Sequence, residues 1–241
     1  MDATATIIRR LGWALIVLAI ASAILSATTA LNPFSTDIPD DTDFVDRLLT
    51  YRTWDQQLYP IALVSNLTSM AVLFLAALIG VALRFIGPAG LPRDLMATVF
   101  VVGGVVGVVS QLVNLGVNQA ATFGYCDCGY KTYEVIAQDY TLQLGWTVQQ
   151  WLNVASIAMV GIGLALAGRI VAISRDWSIV SYLIVVGLVI GVVLQLAGQG
   201  QTAQIIVGVT AGVGVPVWAF LLARGVGDAA VGGPTPEAAG A

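Results

Sequence analysis

Six stretches of this chain, 11–31, 61–83, 95–116, 148–168, 179–197 and 205–222, contain no Asp, Glu, Lys or Arg. A helix needs about 20 mainly apolar residues to cross the ~30 Å hydrocarbon layer of a bilayer. The six stretches are close to that length, and the last two are the shortest. A backbone inside lipid must satisfy its own polar groups, so uncharged runs of this length fold as helices. The expected fold is all-α: a polytopic integral membrane protein built as a bundle of six transmembrane helices.

Composition agrees. Only 10% of residues are charged and 58% are hydrophobic, whereas a soluble domain carries about 25% charge. A water-facing globule of this size could not be covered. The chain has no histidine, which removes bis-histidine haem, histidine-ligated copper or iron, Ser-His-Asp chemistry and histidine proton relays. Two cysteines, Cys126 and Cys128, are too few for a zinc or iron–sulfur site within one chain. The net charge of −4 disfavours nucleic acid as a partner. No phosphate-binding glycine loop occurs between a strand and a helix. No cofactor and no resident metal is expected.

The first stretch also has the look of a secretion signal, with Arg9 and Arg10 before it and Thr28-Thr29-Ala30 as a small-residue site. Its apolar run exceeds the 7–15 residues usual for a signal, so a retained helix is the better reading. Lys and Arg favour the cytoplasmic side of membrane proteins. With the N-terminus inside, Arg9, Arg10, Arg84, Arg93, Arg169, Arg175 and Arg224 lie inside, and Arg47, Arg52 and Lys131 outside. The chain is therefore expected in the cell membrane with both termini cytoplasmic. Residues 1–224 form the transmembrane domain, and the Gly/Ala/Pro-rich residues 225–241 form a disordered cytoplasmic tail.

Two outer connections of about thirty residues are expected, 32–60 and 117–147. In the first, Phe44, Leu48, Tyr51 and Leu58 recur near helical spacing, and Pro60 follows. This predicts a helix over 43–59, lying on the outer surface and ended by the proline. Asp37, Asp40, Asp41, Asp43 and Asp46 form an acidic run there. It lacks the glycine and distal glutamate of a calcium loop, and reads as a solvated face. Asn66-Leu67-Thr68 matches a glycosylation sequon but falls inside a predicted span.

The chain carries a possible repeated helical hairpin. Residues 101–116 and 185–200 agree at ten of sixteen positions, pairing Gly103 with Gly187, Gly107 with Gly191, and Gln111 with Gln195. Arg93-Asp94 and Arg175-Asp176 precede the two copies. Parallel repeats of this kind occur in transporters, and in structural subunits as well. Chance matching of Val/Gly-rich helices is the competing explanation.

The functional candidates are mostly amides. Gln111, Asn114 and Asn118 share one helical face, and Asn66, Gln150, Asn153, Gln195 and Gln199 lie in the outer halves of other spans. An amide exposed to lipid leaves donors and an acceptor unsatisfied, so these faces turn inward. Either they bond between helices, or they line an outward-open cup for a small neutral or zwitterionic solute. Gly103/Gly107, Gly187/Gly191 and Gly208/Gly212 have the spacing that lets helices approach closely. Pro216 cannot donate to the Gly212 carbonyl, so a kink is expected there, either static or a hinge. Cys126 and Cys128 are a candidate local disulfide, with free thiols, an intermolecular bridge, a redox pair and a metal site as alternatives.

Three function classes follow. The first is a non-catalytic membrane subunit or scaffold that binds protein or lipid, including a homo-oligomer. It is favoured because the spans lack the intramembrane charges that pumps and proton-coupled carriers use. The second is a carrier or receptor for a small polar solute held by the amide cup. The third is a membrane thiol–disulfide protein using Cys126 and Cys128.

Overall fold

A computed structural model of the protein describes residues 3–39, 41–123, 132–171 and 173–231. It is all-helical, with no strand among the described residues. Six segments are long and apolar enough to cross a membrane. They comprise α1 (Ala3–Leu31), α2 (Phe44–Leu83), α3 (Leu91–Phe123), α4 (Thr132–Ile170), α5 (Arg175–Leu196), and a composite last segment. That segment joins α6 (Gly200–Val209), a π turn (Thr210–Gly214) and α7 (Val215–Val231). Each expected apolar stretch falls in its own segment, except that Ala197 lies just past the end of α5. The last helix continues past residue 225 to Val231.

The segments form a ring in chain order. Each of α1 to α5 packs on its successor, α5 packs on both α6 and α7, and α7 closes onto α1. Short links join α2 to α3 and α4 to α5 at one end, the short-link end. The ends of α1 and α3 and the start of α4 lie at the other, the long-link end. Val17, Ile24, Phe74, Leu112, Leu183, Val193 and Val213 remain exposed on the flanks. In water, apolar flanks on this scale would drive association. A lipid environment leaves them at no such disadvantage.

The two long connections are more helical than expected. α2 is continuous from Phe44 through Pro60 to Leu83, so no separate surface helix ends at the proline. Pro60 takes the N–H donor from the carbonyl of Gln56. Both residues lie on the exposed side of α2, so that carbonyl is not sealed in the core. α3 likewise runs on to Phe123 and α4 begins at Thr132. Cys126 and Cys128 fall outside the described residues.

The apolar core gathers at the short-link end, around Ile8, Leu83, Met96, Phe100, Leu164, Trp177, Trp218 and Leu222. Trp177 and Trp218 stack with ring centroids 5.4 Å apart. Trp218 Nε1 donates to Ser181 Oγ at 2.8 Å, and Ser181 Oγ donates to the Trp177 carbonyl at 2.9 Å. At the same end Asp94 accepts from Arg84 at 2.8 Å and from Arg93 at 3.4 Å. Ser174 caps α5 by accepting from the Trp177 amide at 3.1 Å.

Glycines set the closest approaches. A Cβ at Gly103 would lie 3.0 Å from Met159 Cβ and 3.1 Å from the Val160 nitrogen, so α3 and α4 meet almost backbone to backbone. The corresponding Gly187 and Gly191 face Thr210 and Val207, the next segment in sequence. Gly208 departs from the expectation: nothing approaches within 4 Å of it, because it borders a cavity rather than a helix. The kink expected at Gly212 takes the form of the π turn, which widens the ladder where Pro216 supplies no donor.

Candidate functional site

The amides do not form one cup. α3 and α4 close the space between them, and Ser156 Oγ donates to the Gly103 carbonyl at 2.7 Å across that seam. Ser110 Oγ and the Gln149 backbone carbonyl lie 3.0 Å apart on the same seam. The polar side chains therefore divide between two cavities, both toward the long-link end.

The first cavity, about 270 Å³, lies between α1, α2 and α3. α3 contributes Gln111, Asn114 and Asn118, and α2 contributes Asp55, Tyr59, Ser65 and Asn66. α1 closes it with Ser26 and Thr29. Asn114 Nδ2 donates to Asn66 Oδ1 at 2.9 Å, and Asn66 Nδ2 donates to the Ala62 carbonyl at 2.8 Å. Ser26 and Ser65 hydroxyls meet at 3.2 Å, and Ser22 and Ser69 at 2.8 Å. Trp146 Nε1 donates to Asn118 Oδ1 at 3.5 Å. Asn66 is buried, with its amide oxygen and nitrogen each bonded within the helix pair, which fits no glycosylation site.

The Asp55 carboxylate and the Gln111 amide stand apart from this pairing. Neither Asp55 nor Gln111 makes a hydrogen bond or ion pair to any described residue. Both are half-buried on the cavity wall. Arg52, one turn before Asp55, directs Nε toward the Thr122 carbonyl at 3.5 Å, and Gln56 Nε2 donates to the same carbonyl at 3.0 Å. These bonds tie the start of α2 to the end of α3 over the cavity.

The second cavity, about 280 Å³, lies between α4, α5 and α6. It is lined by Gln149, Gln150, Asn153, Gln195 and Gln204, with Val154, Ile157 and Val207 as apolar wall. Gln195 Nε2 donates to Gln150 Oε1 at 3.4 Å. Gln199 is exposed in the turn between α5 and α6 and lines neither cavity. That turn is made by Gly198 at φ 78°, a conformation that glycine adopts without strain.

Sequence reasoning thus found seven of the cavity residues, Asn66, Gln111, Asn114, Asn118, Gln150, Asn153 and Gln195, and missed Asp55. The signal existed. Asp55, Leu58, Tyr59, Ala62, Ser65, Asn66 and Ser69 recur every three to four residues and share one helical stripe. Reading Pro60 as a terminator cut that stripe in two. Asp37, Asp41, Asp43 and Asp46 of the acidic run are exposed. Among the described residues no three Asp, Glu or Cys side chains cluster closely enough to hold a metal. No protein-family model, curated protein or solved structure matches the chain.

Proposed function

We propose that the protein is a non-catalytic multi-pass membrane protein that holds a small polar solute in the cavity between α1, α2 and α3. The observation that carries this reading is the pair of unpartnered groups, Asp55 and Gln111, on the wall of a cavity whose other amides are engaged. Both groups are only half-buried, and each still lacks a partner among the described residues. A solute or water entering the cavity supplies it. The apolar core at the short-link end supports a cup closed at one side rather than a continuous pore.

The orientation belongs to the same proposal. Arg9, Arg10, Arg84, Arg93, Arg169, Arg175 and Arg224 all belong to the short-link end, which the positive-inside rule assigns to the cytoplasm. The cavity then opens outward in a cell membrane, both termini are cytoplasmic, and any tail beyond the last helix is cytoplasmic too. The repeated hairpin, α2–α3 followed by α4–α5, is supported by Gly103, Gly187 and Gly191, which face the next segment in sequence, and by Gly107, which meets both the next segment and α2. In this reading Gln111 and Gln195 are equivalent residues of two related cavities.

The test is thermal stabilisation of the purified, detergent-solubilised protein by a panel of small polar solutes. Saturable stabilisation that Gln111→Ala weakens supports the reading. No stabilisation by any member of the panel contradicts it. A second reading, a membrane subunit or scaffold, is favoured by the Asn66–Asn114 and Gln150–Gln195 bonds, which use amides as glue between helices. It predicts a partner or a second copy in fixed stoichiometry, and Gln111→Ala variants that keep that association.

A further inference from the structure

We infer that the solute is a small organic monocation with an ammonium group, and that the Asp55 carboxylate is its counter-ion. This rests on the reading of the first cavity as a solute site and names the class of solute. Three observations support it. First, Asp55 is the one ionisable carboxylate on the wall, half-buried, and no described cation pairs with it. Arg52, the nearest candidate in sequence, is directed at the Thr122 carbonyl instead. A carboxylate partly removed from water and left without a partner loses some of its hydration, and a cation that binds it offsets that loss.

Second, the remaining wall suits an N–H donor. Gln111 offers a carbonyl oxygen with no partner among the described residues, and the Ser65 and Thr29 hydroxyls can accept as well. Tyr59 presents an aromatic ring, held edge-to-face by Phe123 at 4.9 Å, and aromatic faces attract ammonium groups. Third, the size argues against a bare metal ion. A cavity needs only about 10–15 Å³ to hold one water, and this one measures about 270 Å³. One carboxylate balances one positive charge, so a monocation fits better than a dication.

The second cavity provides an internal comparison. It has a similar volume, about 280 Å³, and a similar set of amides, but no ionisable side chain among its lining residues. Cation selectivity is therefore assigned to Asp55 and not to amide lining in general.

The experiment measures thermal stabilisation of the full chain in detergent. The probes are methylammonium, ethanolammonium and choline chlorides, with ethylene glycol as a neutral counterpart and NaCl and KCl at matched ionic strength. The expected result is saturable stabilisation by at least one ammonium probe, exceeding that by either salt. Asp55→Asn should raise its half-saturating concentration at least tenfold, Asp55→Glu should restore binding, and Gln195→Ala in the second cavity should leave it unchanged. Asp55→Glu keeps the test decisive should Asp55→Asn fold poorly. If ethylene glycol stabilises as well as the ammonium probes and survives Asp55→Asn, the cavity binds solutes and the ammonium assignment is wrong. If Na⁺ or K⁺ alone gives the Asp55-dependent effect, the site is an inorganic cation site and the assignment is again wrong. If no probe of any class stabilises the protein, both the assignment and the solute-binding reading fall.

Discussion

Replacing Gly104 and Gly208 by alanine, one at a time, should have opposite effects on stability. Both glycines lie inside helices, and alanine there is favoured over glycine by roughly 0.5–1 kcal/mol. That gain is common to the two changes. They differ in what the new Cβ meets. At Gly104 it would lie 2.9 Å from the Leu73 carbonyl oxygen and 2.9 Å from Ala77 Cβ. Carbon contacts are optimal at about 3.5–4.0 Å, so α2 and α3 must separate by more than roughly half an ångström. Neither neighbour is the free end of a flexible side chain. Overpacking of this kind costs about 1–3 kcal/mol. At Gly208 nothing lies within 4 Å, and only the helix gain remains. The two variants should thus differ by about 1–3 kcal/mol, the overpacking cost alone. At about 2–4 °C per kcal/mol for a chain of this size, their melting midpoints should differ by roughly 2–12 °C. The assay is tryptophan fluorescence during heating in detergent at a fixed rate. A Gly104→Ala variant at least as stable as Gly208→Ala would refute the α2–α3 packing described above.

Other changes probe single bonds. Asn114→Ala and Asn66→Ala should each lower stability, and a double-mutant cycle between them should return a coupling of about 0.6 kcal/mol and no more than about 1.7 kcal/mol; zero coupling would mean that their 2.9 Å hydrogen bond does not form. Trp218→Phe removes the donor to Ser181 Oγ and should cost about 0.5–1.5 kcal/mol by thermal or denaturant unfolding. Pro216→Ala restores an N–H to the helix, and amides across 210–216 should exchange with solvent more slowly. Unchanged or faster exchange there would show that the π turn does not depend on the proline.

Much of this arrangement is legible in the sequence because it depends on local chemistry. The six spans follow from apolar length and absent charge, and the irregularity at 210–214 follows from the donor that Pro216 lacks. The glycines at 103, 107, 187 and 191 mark close approaches because only a missing Cβ permits them. What the sequence left hidden depends on which helix meets which. Eight amides look like one cluster until the Gly103–Val160 contact closes the seam between α3 and α4 and divides them. Asp55 looks like part of a separate surface helix until α2 is seen to pass through Pro60, which carries its stripe onto the cavity wall. A proline weakens a helix, but it does not end one whose flanks are held by packing and whose freed carbonyl is exposed.

The most direct test asks whether water reaches Gln111 from outside the cell. In a background with Cys126→Ser and Cys128→Ser, Gln111→Cys is exposed in intact cells to a membrane-impermeant methanethiosulfonate reagent, with Ala167→Cys in the apolar core as the control. Modification of the thiol at 111 and not of that at 167 is the expected result. Modification at 111 only after the cells are opened would place the cavity on the cytoplasmic side. No modification under either condition would mean that no water-filled cavity exists there.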